Sequence, residues 1–101
     1  MVATLKYGIG QEVNVPVMPE QLDRLNETTV RSGLQDLLQG VTDDPRQAVP
    51  VLRQATADPR SVIEMKTSDG YVPLERETPF RTLMQDRENL EILISRPHAG
   101  G

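Results

Sequence analysis

The 101-residue chain has no cysteine, no tryptophan and one histidine, His98. Without cysteine there is no disulfide framework, no thiolate nucleophile and no zinc ribbon, and a single histidine excludes a His-paired metal site. No segment approaches the roughly 20 apolar residues that span a bilayer. Met1 to Gly10 lacks the basic start and apolar stretch of a signal peptide, so the expectation is a cytoplasmic protein with no membrane partner. Basic residues are the minority, 11 against 15 acidic, with a formal charge of -4. Phosphate-backbone binding depends on clustered Lys and Arg, so a protein partner is expected and nucleic acid is not. Lys6 and Lys66 are the only lysines.

The length fits one domain. A chain this short buries a smaller fraction of its surface than a large domain does, so its core must come from a few aligned apolar stripes, and a deep enzyme cleft is not expected. Residues 1–17 alternate as two half-buried strands, with Ala3, Leu5 and Tyr7 on one and Val13, Val15 and Val17 on the other. They join through Gly8-Ile9-Gly10, and Pro16 marks the second strand as an edge or a short one. Met18 to Asn26 is either a helical turn or an ordered loop. Val30, Leu34, Leu37, Leu38 and Val41 share one helical face, behind a Thr28 or Thr29 cap. Gly40 is placed for a left-handed end, and Gly33 for a close approach of helix to sheet. Asp44-Pro45 has the form of a helix start, but Pro50 limits the helix expected there to Val51–Ala55, stopping before Asp58-Pro59.

Val62, Ile63 and Met65, then Asp69-Gly70, then Tyr71, Val72 and Leu74 read as strand, turn and strand. Thr78-Pro79 caps a short helical turn through Phe80, Leu83 and Met84. Leu90, Ile92 and Ile94 form one side of a last strand. The fold class is α+β, a mixed sheet with one main helix packed across it and a variable inserted segment. No glycine-rich phosphate loop, metal-ligand spacing or nucleophile-base pair stands out, so no enzyme activity, metal or bound cofactor is expected. Asp43-Asp44 and Glu75-Arg76-Glu77 read as solvated turns.

The chain resembles the ubiquitin-like β-grasp family. Met1, Ala3, Leu5 and Val13, Val15, Val17 fall in the register of that family's first hairpin, and a Thr-capped helix follows. Lys66-Thr67-Ser68-Asp69-Gly70-Tyr71-Val72-Pro73-Leu74 is similar to ubiquitin's strand-turn segment, and Leu90 to Ile94 followed by Gly100-Gly101 to its last strand and conjugation tail. The chain departs from the family in two extra segments, Met18 to Asn26 and Asp43 to Arg60. Its tail, Arg96-Pro97-His98-Ala99, replaces a basic-leucine pattern. A Pro-x-Ala-Gly-Gly ending is also similar to related sulfur carriers, the molybdopterin-synthase small subunit and its thiamine-pathway counterpart.

The resemblance implies a β-grasp domain over 1–96 and a flexible Gly-Gly tail over 97–101. The protein is then a substrate of catalysis. Gly101 bears the carboxylate to be activated, and Gly100 gives the clearance a narrow channel needs. Arg96, Pro97, His98 and Ala99 are the tail residues that an activating enzyme reads. Leu93, with Ile63 or another outward apolar residue, forms a partner-binding patch, and Lys66 and Lys6 are candidate acceptor lysines. The implied partners are an adenylating activating enzyme that consumes ATP, a conjugating enzyme, a deconjugating peptidase and target proteins, with the domain itself a monomer. The expected function is a protein modifier joined through Gly101 to target lysines in a prokaryotic pathway. The alternatives are a sulfur carrier through a C-terminal thiocarboxylate, or a noncovalent interaction module.

Overall fold

A computed structural model describes residues 1–8, 10–84 and 88–95. Strands β1 (Val2–Tyr7) and β2 (Gln11–Pro16) precede helices α1 (Pro19–Leu25), α2 (Val30–Gln39) and α3 (Ala48–Ala57). Strands β3 (Val62–Thr67) and β4 (Gly70–Leu74), a 3-10 turn over Phe80–Met84 and strand β5 (Leu90–Ser95) follow. The strands form one sheet in the order β2-β1-β5-β3-β4. β5 lies parallel to β1 and antiparallel to β3, so the sheet is mixed. The protein is thus α+β, and β2, the strand that carries Pro16, is an edge as its composition requires.

Period two decides which face each strand residue takes. Ala3, Leu5, Val13, Val15, Ile63, Met65, Leu90, Ile92 and Ile94 turn to one side and join Val30, Leu34, Leu37, Leu38, Ala48, Leu52, Phe80 and Leu83 in a single core. β5 alternates buried and half-buried along its whole length, as expected of a central strand with one covered face.

The helices differ from expectation in extent. α1 is a true helix. The Gln21 side-chain carbonyl accepts the Met18 N–H at 2.9 Å, Pro19 opens the first turn, and Leu25 is buried. α2 begins where the threonine pattern places it, with Thr29 Oγ1 accepting from the Ser32 N–H at 3.3 Å. Its last residue is followed by Gly40 at φ -83, so the expected left-handed cap does not form. α3 starts three residues before the expected Val51 and ends two beyond Ala55. Pro50 falls in its first turn, where an N–H has no acceptor within the helix, so the missing donor costs little. Asp44 is its cap at a distance. The Asp44 carboxylate accepts the N–H groups of Ala48 and Val49 at 2.8 and 2.9 Å, across a turn that Gln47 completes at φ 52. The inserted segment is therefore a helix as long as α2, and the sheet carries three helices, not one main helix.

Gly33 has a clear reason. A Cβ there would lie 2.4 Å from Phe80 Cδ2 and 3.0 Å from Thr28 Oγ1. The close approach is to the ring of the 3-10 turn, not to the sheet. That turn is tied to the start of α2 by Phe80 N–H donating to the Thr28 carbonyl at 2.8 Å and Val30 N–H donating to that of Thr78 at 2.8 Å.

Candidate functional site

The face of the sheet away from the core presents Val2, Thr4 and Lys6 from β1, Glu12 and Asn14 from β2, Glu91 and Leu93 from β5, Glu64 and Lys66 from β3, and Tyr71 from β4. Register sets Thr4 beside Glu91 and Lys6 beside Leu93, and Lys66 beside Tyr71. Glu91 is the hub. Its Oε2 accepts the Tyr71 hydroxyl at 2.7 Å and lies 3.4 Å from Lys6 Nζ and 4.0 Å from Lys66 Nζ. Lys6 Nζ also reaches Glu12 at 4.0 Å.

These contacts set the protonation states. The Tyr71 hydrogen bond, with Lys6 and Lys66 adding their charges against partial desolvation, holds the Glu91 carboxyl below the usual glutamate range. The same hydrogen bond raises the Tyr71 phenol, which donates to the carboxylate and so keeps its proton. Glu91 also raises Lys6, through hydrogen bonding and then charge. A general acid or base works best with a pKa near the operating pH. All three groups are pushed away from neutrality, so at neutral pH the cluster consists of a carboxylate, an ammonium and a protonated phenol.

The expected patch residues part company. Leu93 is half-buried on the open face, between Lys6 of β1 and Glu64 of β3. Ile63 is 2% exposed in the core, paired with Ile94, so it cannot join Leu93 on one surface. Val62, 44% exposed, takes the diagonal place beside Leu93 instead. The two lysines, far apart in the sequence, meet at Glu91. Gly101, Gly100, Arg96, Pro97, His98 and Ala99 lie outside the described residues, as does Ile9 of the first turn.

No family model, curated protein or solved structure matches the chain. The side chains must therefore be judged on their own chemistry. Among the described residues, no group of three or more His, Cys, Asp or Glu is placed to hold a metal ion, and no helix is long and apolar enough to cross a membrane. A shallow groove of about 340 Å³ between α1 and α2 is lined by Gln21, Arg24, Leu25, Asp36, Leu37 and Gln39.

Two other polar constellations are structural. The Arg76 guanidinium donates to the carbonyls of Thr56 and Ser61 at 2.7 Å each, and also to that of Asp58. It thereby satisfies the Thr56 and Asp58 carbonyls at the end of α3, which have no helical donor, and ties them to Ser61 just before β3. Glu75-Arg76-Glu77 is thus not merely a solvated turn, because its middle residue anchors α3. Gln35 of α2 donates to Thr56 Oγ1 at 2.8 Å and to the Arg53 carbonyl at 3.0 Å, joining α2 to α3. Sequence reading missed Arg76, Gln35 and the Glu91 cluster. Period two in β1 and β5 leaves Lys6 and Glu91 on outward positions, but only the register makes them neighbours of each other and of Lys66.

Proposed function

We propose that this chain is a β-grasp, ubiquitin-like protein modifier that is acted upon and has no catalytic activity of its own. An adenylating enzyme activates the carboxylate of Gly101 with ATP, and the acyl group passes to a lysine of a target protein. One observation carries the reading. The strand that leads into Arg96-Pro97-His98-Ala99-Gly100-Gly101 is β5, held between β1 and β3 at the centre of the sheet. Any pull on the tail is then borne by two ladders and by the buried side chains of Leu90, Ile92 and Ile94. The order of hairpin, Thr-capped helix, strand–turn–strand and closing strand in one mixed sheet supports the β-grasp assignment. The reading requires Gly101 to present a free carboxylate in the mature protein, whether encoded there or exposed by a peptidase.

In this function the open face bearing Glu91 is the surface by which partners recognise the domain. The activating enzyme, and any conjugating enzyme or peptidase, would meet ammonium, carboxylate and phenol groups there together with the apolar side chains of Leu93 and Val62. The test is a search for branched peptides on target lysines in cells that express the intact pathway. Trypsin does not cut the Arg96–Pro97 bond, so the remnant to seek runs from Glu88 to Gly101. Its presence on lysines is the expected result. A protein recovered with sulfur in place of one carboxylate oxygen, and no remnant, would make it a sulfur carrier instead. Full cellular function after deletion of Gly100 and Gly101 would leave only a noncovalent module.

A further inference from the structure

We infer that Lys66, and not Lys6, is the ε-amine of this chain that accepts acyl groups, and that Glu91 sets the difference between them. The sequence has only these two lysines, and the fold brings both to one carboxylate from opposite sides, Lys6 from β1 and Lys66 from β3. Their surroundings are unequal. Lys6 has 34% of its side chain exposed and faces two carboxylates, Glu91 at 3.4 Å and Glu12 at 4.0 Å, with Leu93 beside it. Lys66 has 58% exposed and meets Glu91 at 4.0 Å. Its other neighbours are Tyr71 across the β3–β4 ladder and Glu64 two residues along its own strand. The Tyr71 hydroxyl donates at 2.7 Å to Oε2, the Glu91 oxygen that both lysines face, so the lysines differ in their distance to it and in exposure.

The chemistry turns on the neutral amine. Nζ without its extra proton attacks the carbonyl carbon of an acyl thioester. An N–C bond forms and the C–S bond breaks, and the thiolate leaves and takes up the proton that the nitrogen sheds. Ion pairing favours the ammonium form, and a carboxylate close to Nζ also hinders the approach of the thioester. Lys6 lies closer to Glu91, has Glu12 beside it and is the less exposed of the two, so both effects bear on it. An exposed ion pair changes such a population by roughly two- to five-fold. Where the acyl group is the activated tail of a second copy, the inference rests on the function proposed above. With a small thioester it stands independently of that function.

The experiment is acetylation of the full chain by acetyl coenzyme A at mildly alkaline pH, followed by tryptic mass spectrometry. Cleavage after arginine separates the two sites, because Lys6 falls in Met1–Arg24 and Lys66 in Ser61–Arg76. The Met1 α-amine serves as an internal reference, distinguished from Lys6 by fragment ions. Lys66 is expected to react roughly two- to five-fold faster than Lys6. Glu91→Gln should raise the Lys6 rate and narrow that ratio while the Met1 rate stays unchanged. Equal rates in the native chain, or a faster Lys6, would overturn the inference. An unchanged ratio in Glu91→Gln, with the variant's circular dichroism native, would remove Glu91 as its cause. Failure of Gly101 to be activated would leave this result untouched.

Discussion

The two faces of the sheet are made from the same strands and answer to different physics. On the covered side, Leu5, Ile92 and Ile63 lie next to one another in the core with the side chains of α2 and α3. On the open side, one residue along each of β1 and β5, Lys6 and Glu91 face each other, with Lys66 of β3 on the other side of Glu91. Burial holds the first face together and tolerates no change of volume. The second is held by a hydrogen bond and ion pairs whose strength water and salt reduce. The covered face carries the buried core, and the open face is the surface that the proposed function assigns to partners.

Substitutions should separate the two faces in a graded series. Ile92→Ala, at a fully buried position in the central strand, should lower stability by about 2–5 kcal/mol in urea unfolding. Arg76→Ala should come next, at about 2–3 kcal/mol, because it leaves the carbonyls at the end of α3 without their charged donor. Amide hydrogen exchange should show the loss concentrated in α3. Gly33→Ala adds a methyl where Phe80 already sits. Overpacking outweighs the gain of about 1 kcal/mol in helix propensity, and the net loss should be about 1–2 kcal/mol by thermal unfolding.

Glu91→Gln should have the smallest effect on the unfolding midpoint and the clearest dependence on pH. A carboxyl held below its ordinary value stabilises the folded state at neutral pH, and that contribution fades as pH falls through the folded-state value, below the usual glutamate range. Lys6 and Tyr71 are raised, so their contributions are complete at neutral pH and disappear as pH climbs through their folded-state values. The native chain and the variant should therefore differ most near neutrality and converge in acid and at high pH. A constant offset across pH would mean that the open face contributes through packing and not through charge.

What was legible in the sequence follows the same division. Leu90, Ile92 and Ile94, Ala3 and Leu5, and Val30, Leu34, Leu37 and Leu38 of α2 repeat at a fixed spacing, so local patterning identifies them, whereas Val41 lies beyond the end of the helix at Gln39. α1 has only Leu22 and Leu25 as an apolar signal, too few to set a helix apart from a loop, and a side-chain cap from Gln21 completes it. α3 is longer than its sequence suggests, because Pro50 reads as a breaker unless its position in the first turn is known. Its cap, Asp44, acts across a turn that needs Gln47 in a left-handed conformation, which no local rule expects of glutamine. Arg76 and the Glu91 cluster were invisible for a different reason: their partners lie on other elements. Of the apolar residues of β3, Ile63 turns to the core and Val62 is the outward one near Leu93, a distinction that the run Val62-Ile63 does not make without the register.

The most direct test of the proposed function is intact mass spectrometry of the protein incubated with ATP, magnesium and an adenylating enzyme encoded beside it. The reading predicts an adenylate, or a thioester to that enzyme, that disappears when Gly101 is deleted while Ile92 and its neighbours keep the domain folded. A folded, full-length chain that gains no such mass with any neighbouring adenylating enzyme would contradict it.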